Sequence, residues 1–394
     1  MKRINEKEYL YVKEVLDAQF ATSKGSMMTQ RLEKLFAEKF ESKYAISFVN
    51  GTQNMHAVME ALGIGIGDEV IVPPLTMSST SFAVLQCGAT PVFADVCMDT
   101  FLISPESIRE RITEKTKAII TVSLYGLMPR MDEIMEIAEA NNIFVLEDNA
   151  ECVMATYKGK LIGSYGHAAS YSFQSSKHLT AGEGGIITTN DAELADKIRK
   201  VSSLGYAGVG ATKGKITKDD IQDPNYYRHV SMGWNYRMPE LCAAVALGQV
   251  ENMENLVKCR VESAKLFLDV IGQCDWLIPQ YVDENSTNTY WTVVARLEND
   301  KITWYDFRNK FIEFGGDGVY AAWQLTYLEP MFQQMNLLGR EKFLTVQKYE
   351  KGLCPVAEYL QPRLLQFQTN YWNIEDAEKQ AEALDKTIKF FCNV

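Results

Sequence analysis

The chain has 394 residues, 46% of them hydrophobic and 23% charged, with a formal net charge of −11. At about 150 residues per domain this length suggests roughly two to three domains, with enough chain to bury a large core without disulfide or metal staples. The composition excludes disorder, collagen-like sequence and coiled coil as the dominant state, and the acidic balance argues against nucleic acid as a partner while permitting a local pocket for a phosphate.

In chain order, residues 29–40 place Leu32, Leu35, Phe36 and Phe40 at helical spacing. Residues 44–49 are strand-like, end at Asn50-Gly51-Thr52 and lead into a helix over 53–62. Residues 69–74 form a strand closed by prolines, and 90–95 and 116–122 add two more. A helix over 130–141 precedes the apolar strand 142–148, which ends in an acid. Strands at 170–173 and 186–189 flank a turn rich in Gly and hydroxyl residues. Residues 205–223, rich in Gly, Lys, Thr and Asp, read as a mobile surface loop. Beyond about 250 the character changes, with helices over 250–270, 303–314 and 375–391 around a strand at 289–296.

Short buried strands alternating with helices imply an α/β fold with a mostly parallel central sheet flanked by helices. We assign residues 1–250 to this large domain and residues 251–394 to a smaller C-terminal α+β domain. Ligands of such sheets bind outside the carboxyl ends of the strands. That directs attention to Asn50-Gly51-Thr52, to Asp148 and to the stretch after Ser172.

The eight cysteines form no C-x-x-C pair, so neither a zinc site nor a redox dithiol is expected, and they read as reduced, mostly buried thiols. Residues 1–8 are charged and no apolar h-region follows. No apolar run is long enough to span a bilayer, so the expected compartment is the cytoplasm and no membrane partner is expected.

Three segments carry chemistry. Lys177 sits in the turn between strands, where partial desolvation makes an amine nucleophile of a side chain that is ordinarily a solvated surface cation. Asp148 ends a buried strand, a place from which an acid holds a pyridinium nitrogen protonated in pyridoxal phosphate (PLP) chemistry, although a helix cap explains it equally well. Gly51-Thr52-Gln53 lies where a strand meets a helix, and backbone N–H groups there suit a phosphate. A G-x-G-x-x-G dinucleotide fingerprint is missing after the first strand.

With these three in order, the chain resembles the DegT/DnrJ/EryC1/StrS family of PLP-dependent aminotransferases over nearly its whole length. The resemblance rests on Asn50-Gly51-Thr52, on the run from Gly63 through Gly67-Asp68-Glu69 to Pro73, and on Gly88-Ala89-Thr90-Pro91. It continues through Glu147-Asp148-Asn149-Ala150, Ser172 through Lys177 to Gly185, and Asn235-Tyr236-Arg237-Met238. It implies the fold of fold-type I aminotransferases. Lys177 then matches the Schiff-base lysine and Asp148 the acid at the pyridine nitrogen. Gly51, Thr52 and Ser172, with Gln53 beside them, match the phosphate cradle. Asn235 matches the residue that reaches a neighbouring subunit's cofactor phosphate, which implies a homodimer with shared active sites.

Two positions depart from the family's pattern. Met77 stands where an aromatic residue usually stacks on the cofactor ring. Glu151 stands where Gln or His is common, close to the cofactor's phenolic oxygen, and a second carboxylate there disfavours the phenolate unless it is protonated. His167 replaces a common Asp and reads as surface variation. Some sugar dehydratases of the superfamily replace the lysine by histidine. Here His178 only follows Lys177, so transamination is favoured. Tyr206 and His229 flank the 205–223 loop. Residues 315–323 match a substrate-facing loop, though Tyr320 and Trp323 read more readily as core. The activity implied is transfer of an amino group from glutamate or glutamine to a keto group of a sugar-type acceptor. The commonest such acceptor is a nucleotide-linked 4-keto-6-deoxy sugar, as in perosamine synthesis. A non-nucleotide ketone (a cyclitol ketone or small keto phosphate), to which Gln174 points, and a non-catalytic PLP-binding role are the alternatives.

Overall fold

Seven strands form the central sheet in the computed structural model, which describes residues 2–21, 27–346 and 348–392 and so leaves Met1 outside. They are β1 (Tyr44–Phe48), β2 (Glu69–Val72), β3 (Thr90–Phe93), β4 (Thr116–Val122) and β5 (Phe144–Asp148), then, after a small hairpin of β6 (Thr156–Tyr157) and β7 (Lys160–Leu161), β8 (Ala168–Ser172) and β9 (Gly185–Thr189). Their order is β1-β9-β8-β5-β4-β2-β3. Only β9 is antiparallel to its neighbours, β8 and β1. The other pairings are parallel. The exception follows from the chain path: β8 returns to β9 through residues 173–184, the Lys177 turn, which contains no helix to cross over the sheet. The remaining strands therefore end on one edge, at Phe48, Val72, Phe93, Val122, Asp148 and Ser172.

Helices cover both faces, which explains why strands such as β2 are buried throughout. The helix Met28–Lys39 turns Leu32 and Phe36 inward, and Phe36 stacks on Phe40 at 4.3 Å. The helix Gly51–Ala61 starts directly after β1 because Asn50 is extended and its Oδ1 accepts from Gln53 N at 2.8 Å, an N-cap. Two helices meet at Asn252: Glu240–Glu251, which the sequence left unassigned, and Met253–Ile271, which matches the helix predicted over 250–270. The first escapes the pattern because Ala243, Ala244, Ala246, Leu247 and Val250 bury it on several sides, so it shows no single apolar stripe. Within residues 205–223, expected to be loop throughout, lies the short helix Lys218–Gln222, capped reciprocally by Thr217 and Asp220.

A second sheet, wholly antiparallel, contains β10 (Leu277–Pro279), β11 (Thr292–Leu297), β12 (Tyr320–Ala321) and β13 (Leu364–Gln368) in the order β10-β11-β13-β12. It buries Val293, Ala295, Leu365 and Phe367 against Phe267, Phe307 and Phe311. Among the described residues, no helix is long and apolar enough to cross a membrane.

Candidate active site

A cavity of about 550 Å³ opens at the carboxyl ends of β1, β4, β5 and β8, with the N-terminus of the helix Gly51–Ala61 on one side and the second sheet on the other. It brings together Gly51, Thr52, Met77, Asp148, Glu151, Ser172 and Lys177 from the sequence reading.

Lys177 is held by its side chain and its main chain. Gln174 shapes the turn: its Oε1 accepts from Ser176 N and Oγ, each at 2.7 Å, and its carbonyl accepts from Lys177 N at 3.0 Å. Lys177 Nζ donates to Glu151 Oε1 at 3.0 Å and lies 4.6 Å from the centre of the Trp291 ring. The second oxygen of Glu151 accepts from Tyr125 N at 3.2 Å, so this buried carboxylate is itself aimed. Two guanidinium groups then pin the carbonyls of the turn. Arg3 donates to Ser175 O at 2.7 Å and to Lys177 O at 2.6 Å. Arg260 donates to Ser176 O at 2.9 Å, to Lys177 O at 3.3 Å and to Trp291 O at 2.8 Å. Burial, and next the charge of Arg3, pull the Arg260 guanidinium down to about 9.

Asp148 and Glu147 show how strand alternation sorts two adjacent acids. Glu147 accepts from Gly163 N, Tyr165 N and Gly166 N at 2.8, 3.0 and 2.6 Å, and so organises the loop before β8. Asp148 accepts from Thr80 Oγ1 at 3.0 Å and Ala150 N at 3.2 Å, and faces the cavity. Burial pushes its carboxyl up to about 6.

At the opposite end, the N–H groups of the first helical turn at Gly51 and Thr52 form a site suited to an anion. A Cβ on Gly51 would stand 3.3 Å from Ser172 Cβ, so glycine lets the helix start close against β8. Met77 is half exposed on the cavity wall.

Two predicted residues stand apart. Gln53 contributes its backbone N–H to the Asn50 cap, and its side chain is outside the cavity lining. Asn235 is exposed, bridges to Ser203 and lies outside this cavity. Tyr206 and His229 contact each other, with rings 5.1 Å apart, and do not line the cavity. His167 is exposed, stacks on Phe144 and accepts from Val145 N at 2.9 Å. His178 is buried, its Nε2 is 2.9 Å from Thr289 O, and burial, then the charge of Arg260, hold its pKa well below the usual range. It is a neutral structural tie.

Tyr320 and Trp323, read as core, instead line the cavity. The sequence reading also passed over Trp291, Arg260, Gln366, Gln368 and Asn370, all of which line it. Arg260 did leave a signal: it shares a helix face with the buried Leu256, Val257, Ala264 and Phe267, where an unpaired cation demands partners.

Comparison with known proteins gives four findings. A sequence model described as the DegT/DnrJ/EryC1/StrS aminotransferase family matches residues 2–378. The chain is 38% identical over 357 residues to the GDP-perosamine synthase of Escherichia coli O157:H7, covering 90% of this chain and 88% of that one. It is 36% identical over 298 residues to the spore coat polysaccharide biosynthesis protein SpsC of Bacillus subtilis, covering 76% and 75%. Among solved structures, an aminotransferase from Psychrobacter cryohalolentis superposes with a TM-score of 0.86 at 30% identity, covering 99% of this chain and 98% of that one.

Proposed function

The chain belongs to the DegT/DnrJ/EryC1/StrS aminotransferase family, and from that premise we propose that it transfers an amino group from glutamate or glutamine to the keto group of a nucleotide-linked 4-keto-6-deoxy sugar. It is a PLP-dependent enzyme. The observation that carries the reading is the convergence of Lys177, Asp148 and a helix N-terminus on one cavity. The likeness to a GDP-perosamine synthase supports the acceptor class.

The residues present fit the coenzyme. Asp148 is a buried acid whose side-chain hydrogen-bond donor is the neutral Thr80, which suits a protonated ring nitrogen. Gly51, Thr52 and Ser172 would hold the phosphate, and Met77 would pack on the ring face. When bound, PLP supplies a carbonyl for amines and a protonated ring that takes up the electron pair released as the donor's Cα loses its proton. Lys177 Nζ is the atom that takes that proton and later returns it. Glu151, at 3.0 Å, holds Nζ in place. The Trp291 ring shields the same nitrogen from water.

The same reading makes the working unit a homodimer, in which Asn235 reaches the partner's phosphate site. Its exposure, away from its own protomer's cavity, supports this. We also place the enzyme in the cytoplasm, which its eight unpaired cysteines support.

The test is the absorption spectrum of the purified protein with PLP, before and after L-glutamate or L-glutamine. A visible band that the donor bleaches, and that nucleotide-linked ketones restore, is the expected result. Lys177→Ala abolishes the lysine-dependent band and lowers turnover by at least about a thousandfold. A wild-type protein with no such band overturns the catalytic reading, and restoration only by free ketones overturns the nucleotide-linked acceptor.

A further inference from the structure

The turn that carries Lys177 has three consecutive carbonyls, at Ser175, Ser176 and Lys177, that no backbone N–H meets among the described residues. Side chains from distant parts of the chain meet them instead. Ser176 O accepts from Arg260 Nη2 at 2.9 Å and from Trp291 Nε1 at 3.0 Å. Lys177 O accepts from Arg3 Nη2 at 2.6 Å and, less closely, from Arg260 Nη2 at 3.3 Å. Ser175 O accepts from Arg3 Nη1 at 2.7 Å, its sole donor among the described residues. Without Arg3, one of these carbonyls has no partner and the lysine's own keeps only the longer bond.

The planar fork of a guanidinium spans two carbonyls in one fixed geometry, which a lysine ammonium does not reproduce, and its charge strengthens both bonds. Arg3 is itself placed. Its Cζ lies 5.5 Å from the centre of the Trp372 ring, and Arg260 Cζ lies 5.9 Å from the same ring. Gln249, fully buried in the helix Glu240–Glu251, donates to Arg3 O at 2.8 Å and to Glu8 Oε1 at 2.6 Å. Its Oε1 accepts from Thr180 N at 3.3 Å, beyond the lysine in the same turn. One carboxamide therefore sets residues 3–8 in register with the Lys177 turn. Arg3 stays outside the cavity lining and touches none of the reacting groups.

Resting on the proposed function, we propose that Arg3 is a positioning residue for the amino transfer: it fixes the main chain of Lys177, and with it the place from which Nζ works, so that residues 3–8 belong to the active site through this one side chain. The demand on that placement is high. Nζ serves two places in one cycle, the coenzyme's carbonyl carbon and the proton on the donor's Cα, and a displacement of about 1 Å costs about a hundredfold in rate.

The test compares wild type with Arg3→Ala, Arg3→Lys and Lys7→Ala. Lys7 holds the same segment through Glu251, at 2.7 Å, without touching the turn. In Arg3→Ala, turnover falls about tenfold to a hundredfold while donor KM changes by less than about twofold. In the coenzyme-free variant, amide exchange over residues 173–184 quickens at least about tenfold, and exchange in the helix Glu240–Glu251 does not. Millimolar guanidinium ion restores turnover to Arg3→Ala, sodium chloride at the same concentration does not, and Arg3→Lys recovers only part of the loss. Lys7→Ala matches wild type in turnover and in exchange over the turn. If Arg3→Ala fails to fold, Arg3→Lys decides by the same readouts. Wild-type turnover in the Arg3 variants, a loss that Lys7→Ala shares, or a loss without faster exchange in the turn overturns the inference and leaves the proposed function standing. A wild-type protein without the lysine-dependent band overturns the proposed function, and this inference falls with it.

Discussion

Asp148 is the residue at which function works against stability. Its carboxyl is raised from 3.8 to about 6, chiefly by burial, so the folded coenzyme-free protein holds this proton more tightly than the unfolded chain. Stability therefore falls as pH rises through the window from about 4 to about 6, at a cost of at most about 3 kcal/mol above it. Asp148→Asn removes that cost. The coenzyme-free variant is expected to melt a few degrees higher at pH 7.5, with the gain shrinking toward pH 4, while its turnover drops at least about a hundredfold. Calorimetry at the two pH values checks this, and a variant melting no higher at pH 7.5 contradicts it. This residue was legible in the sequence as an acid closing an apolar strand. Which of the two neighbouring acids faces the ligand was legible only through the family resemblance, because composition is blind to the strand's phase. Glu151 was legible only as a departure from a pattern; its pairing with Lys177 needs the turn after Ala150 and the turn after Ser172 to meet in space.

Among the elements, the helix Gly51–Ala61 owes its placement to Asn54. That fully buried amide donates to Tyr171 O at 3.1 Å and to Ile186 O at 3.3 Å, and accepts from Ser170 Oγ at 2.7 Å, which ties the helix to β8 and β9 at once. Gly185 permits the approach, since a Cβ there would lie 2.7 Å from the carbonyl carbon of Asn50. Asn54→Leu keeps the volume and leaves three buried groups unpaired. It is expected to lose about 2–4 kcal/mol in urea unfolding and to weaken PLP binding at least about tenfold as the helix start shifts. An unchanged midpoint would remove Asn54 from this account. Helices and strands with a clear period, such as 29–40 and 116–122, were readable from the chain alone. Strand order, the reversed β9 and the inward face of β11 were not, because they depend on long-range pairing. The short β6–β7 hairpin lacks the length for any period to show.

For the whole molecule, the question is what covers the strip beside Asn235. Tyr227, Val230, Met232 and Trp234 are 85%, 57%, 78% and 37% exposed, an apolar edge that a second copy would bury in the proposed homodimer. Each chain carries a net charge of −11, so two copies repel and apolar contact must outweigh the repulsion. Sedimentation is expected to show a dimer that tightens as salt rises. Met232→Glu is expected to shift it toward monomer and to weaken PLP retention on dilution. A fully active monomer would rule out the shared site.

The Trp291 ring, 4.6 Å from Lys177 Nζ, has an optical consequence. Any chromophore carried on that nitrogen lies within energy-transfer range of the indole and of Trp323 beside it. Emission from these two tryptophans is therefore expected to fall as the site fills. Occupancy becomes readable from intrinsic fluorescence, without substrate and without turnover.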